Sequence, residues 1–554
     1  MRTYDDTMFI DTFEHEYTWL NGFMRNVARF PRRNALIDPE TGRVWSYKAL
    51  NEEANRLANA LKSAGVGKND VVMSALRNCP EFAFSYIGPR KVGAILLSAN
   101  FNLAAGEFAL LIQHNKPKVV IYSANIASVM QEAEKICQTK GFVPQKFILA
   151  DNIEKTVLPS SHISYEEFTE SSSPENPEIS FRPHIYDEVL RLCTSGTTAL
   201  PKSVPLNDIN EVLSAHDVIM HYPMNQNDVT LNMTPWFHRG GCHSGGVCPT
   251  FYAGACAVIM RKFQPTNALD WVEKHKITYM MGSPSNLAML ARSQVKSPKN
   301  LSSLKGLVTM GAPLSKADCI HYMQVLTPNI FNGYGTTETF WNSFLRPYNL
   351  PDGAGSVGGS CTDDEVRVVK IYEGKKAEPE ETVATDSESE GEIIIRSPEK
   401  TTYAYINDPK MTAEKFYKGW MYTGDTGVWN EDLIVTVRGR KDDMIITSAE
   451  NIYPTQIEEA INEHPKVKDS IVTSVPDKVR GQAVVAYIVP EDESLTIREL
   501  FDFCTNHKML STYKRPRYFA LIDELPQTAT GKKKHFEIKK RALEDLEKGI
   551  LKKD

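Results

Sequence analysis

Leu190-Arg-Leu-Cys-Thr194-Ser195-Gly196-Thr197-Thr198-Ala199-Leu200-Pro201-Lys202-Ser203 runs from an apolar, strand-like segment directly into a loop of hydroxyls, one glycine and one lysine. Such a loop concentrates N–H and O–H donors and suits the oxygens of a phosphate chain. Gly196 to Ser203 is one residue away from the GxxxxGK[ST] pattern, with Pro201 where the second glycine belongs. A loop of that pattern must enter a helix whose N-terminus faces the phosphates. Pro201 removes a backbone donor and Pro205 would break the helix at once. Local stereochemistry therefore rules out the nucleotide hydrolases that use it.

On either side the sequence alternates between strand and helix. Tyr47, Leu50, Ala54, Leu57, Ala58 and Leu61 recur at helical spacing, with Ser46 as N-cap and Gly65 as stop. Residues 118–122 (KVVIY) read as a buried strand, 125–138 as a helix and 146–150 as a second strand. Strand, helix, strand is the signature of a parallel α/β sheet, and such units recur to about residue 345. The polar stretches 167–177 and 373–391 read as surface loops. Alternation in 365–372 and 392–396 predicts a β-rich section before about residue 440. From Asp443 the pattern becomes compact α+β: a helix over 455–463, strands around 471–475 and 483–489, and a helix over 497–506. The expected architecture is a large α/β domain over 1–440, made of two subdomains and the β-rich section. A small α+β domain over 441–554 follows.

With 554 residues the chain exceeds what one core supports. A net charge of −6 and a pI near 6.2 argue against a nucleic-acid partner. No stretch has the apolar length of a membrane span, and Met1-Arg2-Thr3-Tyr4 does not open a secretory signal, so the expectation is a cytoplasmic protein. Nine single cysteines without a CxxC pair read as reduced thiols. His238-x3-Cys242-His243-x4-Cys248 lacks zinc-finger spacing and reads as a glycine-rich loop with buried thiols.

Further motifs follow the hydroxyl loop in order. They are Asn332-Gly333-Tyr334-Gly335-Thr336-Thr337-Glu338, Tyr422-Thr-Gly-Asp425, Gly439-Arg440-Lys-Asp442-Asp443 and Leu525-Pro-Gln-Thr-Ala-Thr-Gly531-Lys532. In this order, across nearly the whole chain, they resemble the adenylate-forming superfamily of acyl- and aryl-CoA synthetases, luciferases and peptide-synthetase adenylation domains. The likeness is greatest to an acyl- or aryl-CoA ligase.

The resemblance implies an ATP-dependent ligase. It would form an acyl-AMP and then acyl-CoA, AMP and pyrophosphate from a ring or short-to-medium-chain carboxylic acid. The alternative is a stand-alone adenylation enzyme that loads a carrier protein. Thr194, Ser195, Gly196, Thr197, Thr198 and Lys202 would hold the β- and γ-phosphates. Asn332, Gly333, Tyr334, Gly335 and Thr336 would shape the adenine site, with Tyr334 stacked on the base. Thr337 would donate to the α-phosphate, and Glu338 would ligate Mg²⁺. Asp425 would accept from the ribose hydroxyls beside Val437 and Arg440. Lys532 would bridge the carboxylate and the α-phosphate. Asp442 would be the hinge. His238, Gly311, Ala312 and Gly333 would line the acyl pocket, with Trp236, Phe237, Phe340 and Trp341 suggesting a compact aromatic cavity.

Three positions depart from the family pattern: Ala199 and Ser203 stand where glycines are usual, and Thr447-Ser448-Ala449-Glu450 stands where Gly-Gly often precedes Glu. Ser448, Ala449 and Glu450 would line the coenzyme A tunnel. Partners are thus a small acid and coenzyme A, with monomer and homodimer both open.

Overall fold

The computed structural model describes residues 4–194, 202–372, 374–447, 450–452, 454–477, 481–507, 510, 514–528 and 532–553. Ser195, Gly196, Thr197, Thr198, Ser448 and Ala449 lie outside them, as do the side chains of Thr194, Asp442 and Glu450.

One sheet has seven strands. Its order is Ile163–Ser164, Lys146–Ala150, Val119–Ser123, Val71–Ala75, Ile95–Ser98, β1 (Glu188–Thr194) and β2 (Lys202–Asn207). All neighbours are parallel except β2, which pairs antiparallel with β1 at the edge. Val71–Ala75 and Val119–Ser123 are buried along their full length, as expected of parallel strands covered on both faces. The helix read over 46–61 spans Tyr47–Ser63; the Ser46 hydroxyl accepts from Ala49 N–H at 3.2 Å, and Gly65 follows at φ +77°. Pro205 sits in edge strand β2, where a missing N–H costs no ladder bond. Extended backbone thus follows the hydroxyl loop, in keeping with the exclusion of a P-loop.

Helices α1 (Asp208–His221) and α2 (Arg239–His243) accompany a nine-stranded sheet that takes Asn34–Asp38 and Arg43–Ser46 from early in the chain and Val229–Asn232 from between the two helices; its central strands are parallel. Among these are β3 (Gly306–Met310) and β4 (Ile330–Thr336); β5 (Phe340–Leu345) folds back antiparallel on β4. Val218 of α1 and the following Tyr222 share a buried cluster with Met281, Val308, Met310, Phe331, Trp341 and Phe344. The segment read as a glycine-rich loop with thiols is instead helical in two pieces, Arg239–His243 and Val247–Tyr252. His238 caps the first piece, and close packing explains the glycines: a Cβ on Gly241 would lie 1.7 Å from the Pro235 carbonyl oxygen.

The β-rich section is an antiparallel sheet of Glu365–Val369, Gly391–Arg396, Phe416–Tyr417, β6 (Trp420–Trp429) and β7 (Val435–Arg440). Beyond it, helix α3 (Pro454–Asn462), helices Ile497–Asn506 and His535–Glu547, and a sheet containing Val467–Asp477 and Gly481–Pro490 surround their own cores. The fold class is the expected one. Across the junction, the Thr455 hydroxyl donates to the Arg438 carbonyl and Gln456 Nε2 to Glu390 Oε1 at 3.2 Å.

Candidate active site

β1 ends where the hydroxyl loop begins in sequence, β3 ends just before Gly311, and β4 ends just before the 337–339 turn. Open α/β sheets place ligands beyond the carboxyl ends of their strands. Thr194 and Lys202 are cross-strand partners, so the ends of the hydroxyl loop are fixed by the β1–β2 ladder. Ser203, one of the departures from glycine, sits opposite Cys193 in that ladder with a buried side chain that reaches Asn115 Oδ1 at 3.3 Å. Its carbonyl accepts from Ile406 N–H at 2.9 Å.

The β4–β5 hairpin explains the glycines of Asn332-Gly-Tyr-Gly. A Cβ on Gly335 would stand 1.4 Å from the Phe340 carbonyl oxygen, and one on Gly333 would stand 2.7 Å from Trp341 Nε1. Only glycine allows either approach. Asn332 is buried and donates to the Ser356 carbonyl at 3.1 Å, while Thr336 Oγ1 lies 3.1 Å from Thr339 Oγ1. Half-buried Thr337 adjoins Glu338 in the turn.

Glu338 is buried, and its Oε1 accepts from the Tyr405 hydroxyl at 2.5 Å. Thr401 Oγ1 donates to the Glu338 carbonyl at 3.1 Å. Among the described residues Glu338 forms no ion pair. Lys202 Nζ lies 6.0 Å from the centroid of the Tyr405 ring and 3.3 Å from Met411 Sδ. Tyr405 therefore stands between the lysine of the hydroxyl loop and the carboxylate of the turn. Sequence reasoning missed it, since Tyr403-Ala-Tyr405 after a polar stretch has no helical periodicity or motif spacing to mark it.

Lys400 was missed likewise. It is fully buried, and its Nζ donates to Asp217 and Asp364 at 3.0 and 2.7 Å and to the Trp341 carbonyl at 2.7 Å. Residues 400–406 thus tie the Glu338 turn to strand β2.

Asp425 and Arg440, fifteen positions apart, are cross-strand partners on β6 and β7. Arg440 donates to Asp425 Oδ1 at 2.6 Å, and the Tyr334 hydroxyl donates to Oδ2 at 2.7 Å. Tyr334 and Val437 pack on the same apolar cluster of the β-rich sheet. Each carboxylate oxygen keeps a lone pair for a further donor. Asp425→Ala is expected to weaken ATP binding by about 1–3 kcal/mol, the worth of charge-assisted hydrogen bonds. Isothermal titration with ATP and a thermal melt check this: unchanged affinity with a collapsed Tm would make Asp425 a packing residue.

His238 caps α2, its Nδ1 accepting from Gly241 N–H at 3.1 Å, and burial holds its pKa down at about 4. The ring is neutral at physiological pH, with its proton on Nε2. Gly311 has φ +83° and open space where a Cβ would stand, beside half-buried Ala312. Neighbouring His243 and Cys248 approach Glu211 closely enough to suggest a metal triad. His243 Nε2, however, lies 2.6 Å from Glu211 Oε1, and Arg90 donates to Oε2 at 2.6 Å. A guanidinium in that place supplies the positive charge a cation would bring, so the triad reads as a satisfied ion network.

Lys532 is exposed, and its backbone N–H donates to Thr528 Oγ1 at 3.1 Å. Its neighbours are engaged: Lys533 pairs with Glu458 and Asp469 at 3.2 and 2.8 Å, and Lys534 with Glu537 at 2.8 Å. Among the described residues the Lys532 ammonium forms no ion pair.

The family model for AMP-binding enzymes matches residues 23–405, and that for their C-terminal domain matches 456–532. The chain is 30% identical to 4-coumarate--CoA ligase 3 of Oryza sativa subsp. japonica, over 91% of this chain and 89% of that protein. It is also 30% identical to indoleacetate--CoA ligase of Aromatoleum aromaticum, over 92% of this chain and 95% of the relative. The anthranilate CoA ligase AuaEII in complex with anthranoyl-AMP shares the fold, with TM-score 0.85, 24% identity and coverage of 96% and 98% of the two chains. Among the described residues no helix is long and apolar enough to cross a membrane. The expectation of an AMP-forming acid–thiol ligase is borne out, and the chain belongs to the family of AMP-binding enzymes whose relatives are CoA ligases.

Proposed function

We propose that this chain activates a ring-bearing or short carboxylic acid with ATP and passes the acyl group to coenzyme A. The observation that supports the reading is the setting of Lys202 and Glu338 on either side of Tyr405, with the Asp425–Arg440 pair at the Tyr334 hydroxyl and Lys532 without an ion pair among the described residues. A carboxylate oxygen attacks the α-phosphorus while the bond to pyrophosphate breaks, giving acyl-AMP. Positioning and charge neutralisation are the protein's share. Thr194, Ser195, Gly196, Thr197, Thr198 and Lys202 cradle the leaving pyrophosphate. Asp425, Arg440, Tyr334 and Val437 hold the nucleoside, and Thr337 donates to the α-phosphate.

Glu338 fits a hard divalent cation, being a buried carboxylate with one hydroxyl partner and no ion pair among the described residues. Mg²⁺ bound there would neutralise phosphate charge. Lys532 neutralises the reacting carboxylate and phosphate, then leaves as the 441–554 domain turns about Asp442. The thiol sulfur attacks the acyl carbon past Ser448, Ala449 and Glu450, its proton goes to solvent, and AMP departs with the electron pair of the broken bond.

Relatives that join 4-coumarate and indoleacetate to coenzyme A support a ring acid. Incubation with ATP, Mg²⁺, coenzyme A and a panel running from acetate through benzoate to long-chain acids tests the acceptor. The expected result is free acyl-CoA seen by mass spectrometry. Acyl-AMP without acyl-CoA would favour transfer to a carrier protein.

A further inference from the structure

Three donors around the acyl side of the site are buried and have no hydrogen-bond partner among the described residues: His238 Nε2, Tyr222 Oη and Trp341 Nε1. They border one apolar cluster. Met310 Sδ lies 3.2 Å from the Cβ position of Gly240, beside His238, and receives the Ser244 hydroxyl at 2.9 Å. The Cβ position of the next residue, Gly245, is 3.2 Å from the Tyr222 hydroxyl. The Tyr222 and Trp341 rings are 6.0 Å apart, and Trp341 Nε1 hangs over Gly333.

Buried polar groups in native proteins are almost always paired, so several orphans around one cluster call for a missing partner. The partner's chemistry is constrained. Indole N–H can only donate, and His238 Nε2 carries the ring proton because Nδ1 is occupied by Gly241 N–H. All three groups can donate, so an acceptor answers all three. Length is constrained as well. Trp341 stacks on Phe340 at 4.8 Å and lies 4.5 Å from Phe344, closing the space beyond Gly333 with rings. A chain extending past Gly333 would meet these rings, and a short plain one would leave the donors stranded.

Resting on the ligase reading above, we infer that the acid is short and carries an acceptor oxygen (hydroxyl, carbonyl or ether) at the end remote from its carboxylate. Trp341 Nε1 and the Tyr222 hydroxyl donate to that oxygen. Both residues set specificity and neither takes part in the phosphoryl chemistry.

The test compares kcat/KM for pyrophosphate release within matched pairs of acids, using the full chain: 4-hydroxybenzoate against benzoate, 4-hydroxycinnamate against cinnamate, and 4-oxopentanoate against pentanoate. The acceptor-bearing member is expected to be preferred about tenfold or more in the pair that fits best. Tyr222→Phe and Trp341→Phe should each cut that preference about tenfold. Tyr222→Phe removes a single oxygen, so a normal thermal melt for it keeps the test independent of folding. Equal kcat/KM within every pair, or a preference untouched by both variants, would overturn the inference and assign the donors to buried water. Failure to activate any acid would refute the ligase reading itself, and this inference with it.

Discussion

Lys532→Ala is expected to slow acyl-AMP formation about a hundredfold or more, the usual effect of removing a preorganised charge from a transition state. Thioester formation from supplied acyl-AMP should be largely spared, because the proposed mechanism gives the lysine no part in the second step. Three lysines in a row would ordinarily be a solvated basic run. The structure separates them: Lys533 and Lys534 hold Glu458, Asp469 and Glu537, and Lys532 is exposed without an ion pair among the described residues. Single-turnover kinetics of each half-reaction decide the matter. An equal loss in both would make Lys532 a structural residue of the small domain.

Glu338→Gln should reduce acyl-AMP formation by a similar factor, about a hundredfold, and shift its Mg²⁺ dependence to higher concentration. The substitution keeps the shape and the Tyr405 contact but deletes the negative charge a hard cation requires. Tyr405→Phe, which leaves the charge and removes one hydrogen bond, should cost only about tenfold. Titrating the initial rate with Mg²⁺ separates the two roles. An unchanged Mg²⁺ dependence in Glu338→Gln would show that the carboxylate serves the fold through Tyr405 and Thr401 alone.

What the sequence revealed and what it hid divide along a physical line. Local patterns were legible because they report on one element at a time. Helical spacing in 46–61 gave the helix Tyr47–Ser63, the apolar run at 118–122 gave Val119–Ser123, and 497–506 was read to the residue. Pro205 was legible as a helix breaker for the same reason. Long-range relations were not. His238 to Cys248 looks like a loop because its glycines lower helical propensity. Packing reverses that, with Gly241 and Gly246 pressed against neighbouring backbone where no side chain fits.

The same holds in the site. Motif spacing singled out Glu338 and Lys202, yet nothing near either in sequence announces Tyr405, 67 positions from Glu338, as the ring between them. Lys400 was hidden because a lysine in a charged stretch reads as solvated. Only the fold brings Asp217 and Asp364 to it and makes it a buried clamp on the Trp341 carbonyl. The proposed acyl side was the least legible part. It depends on how the β4–β5 hairpin folds Trp341 over Gly333, and the register shift at Tyr334 and Gly335 has no signature in residue type.

Attack of a carboxylate oxygen on the α-phosphorus of ATP leaves an isotopic record. An accepted acid labelled with ¹⁸O in both carboxylate oxygens is turned over with ATP and coenzyme A, and the AMP is analysed by mass spectrometry. AMP is expected to gain one ¹⁸O from the acid while pyrophosphate gains none. Label in phosphate or pyrophosphate, with unlabelled AMP, would mean attack at another phosphorus and would contradict it.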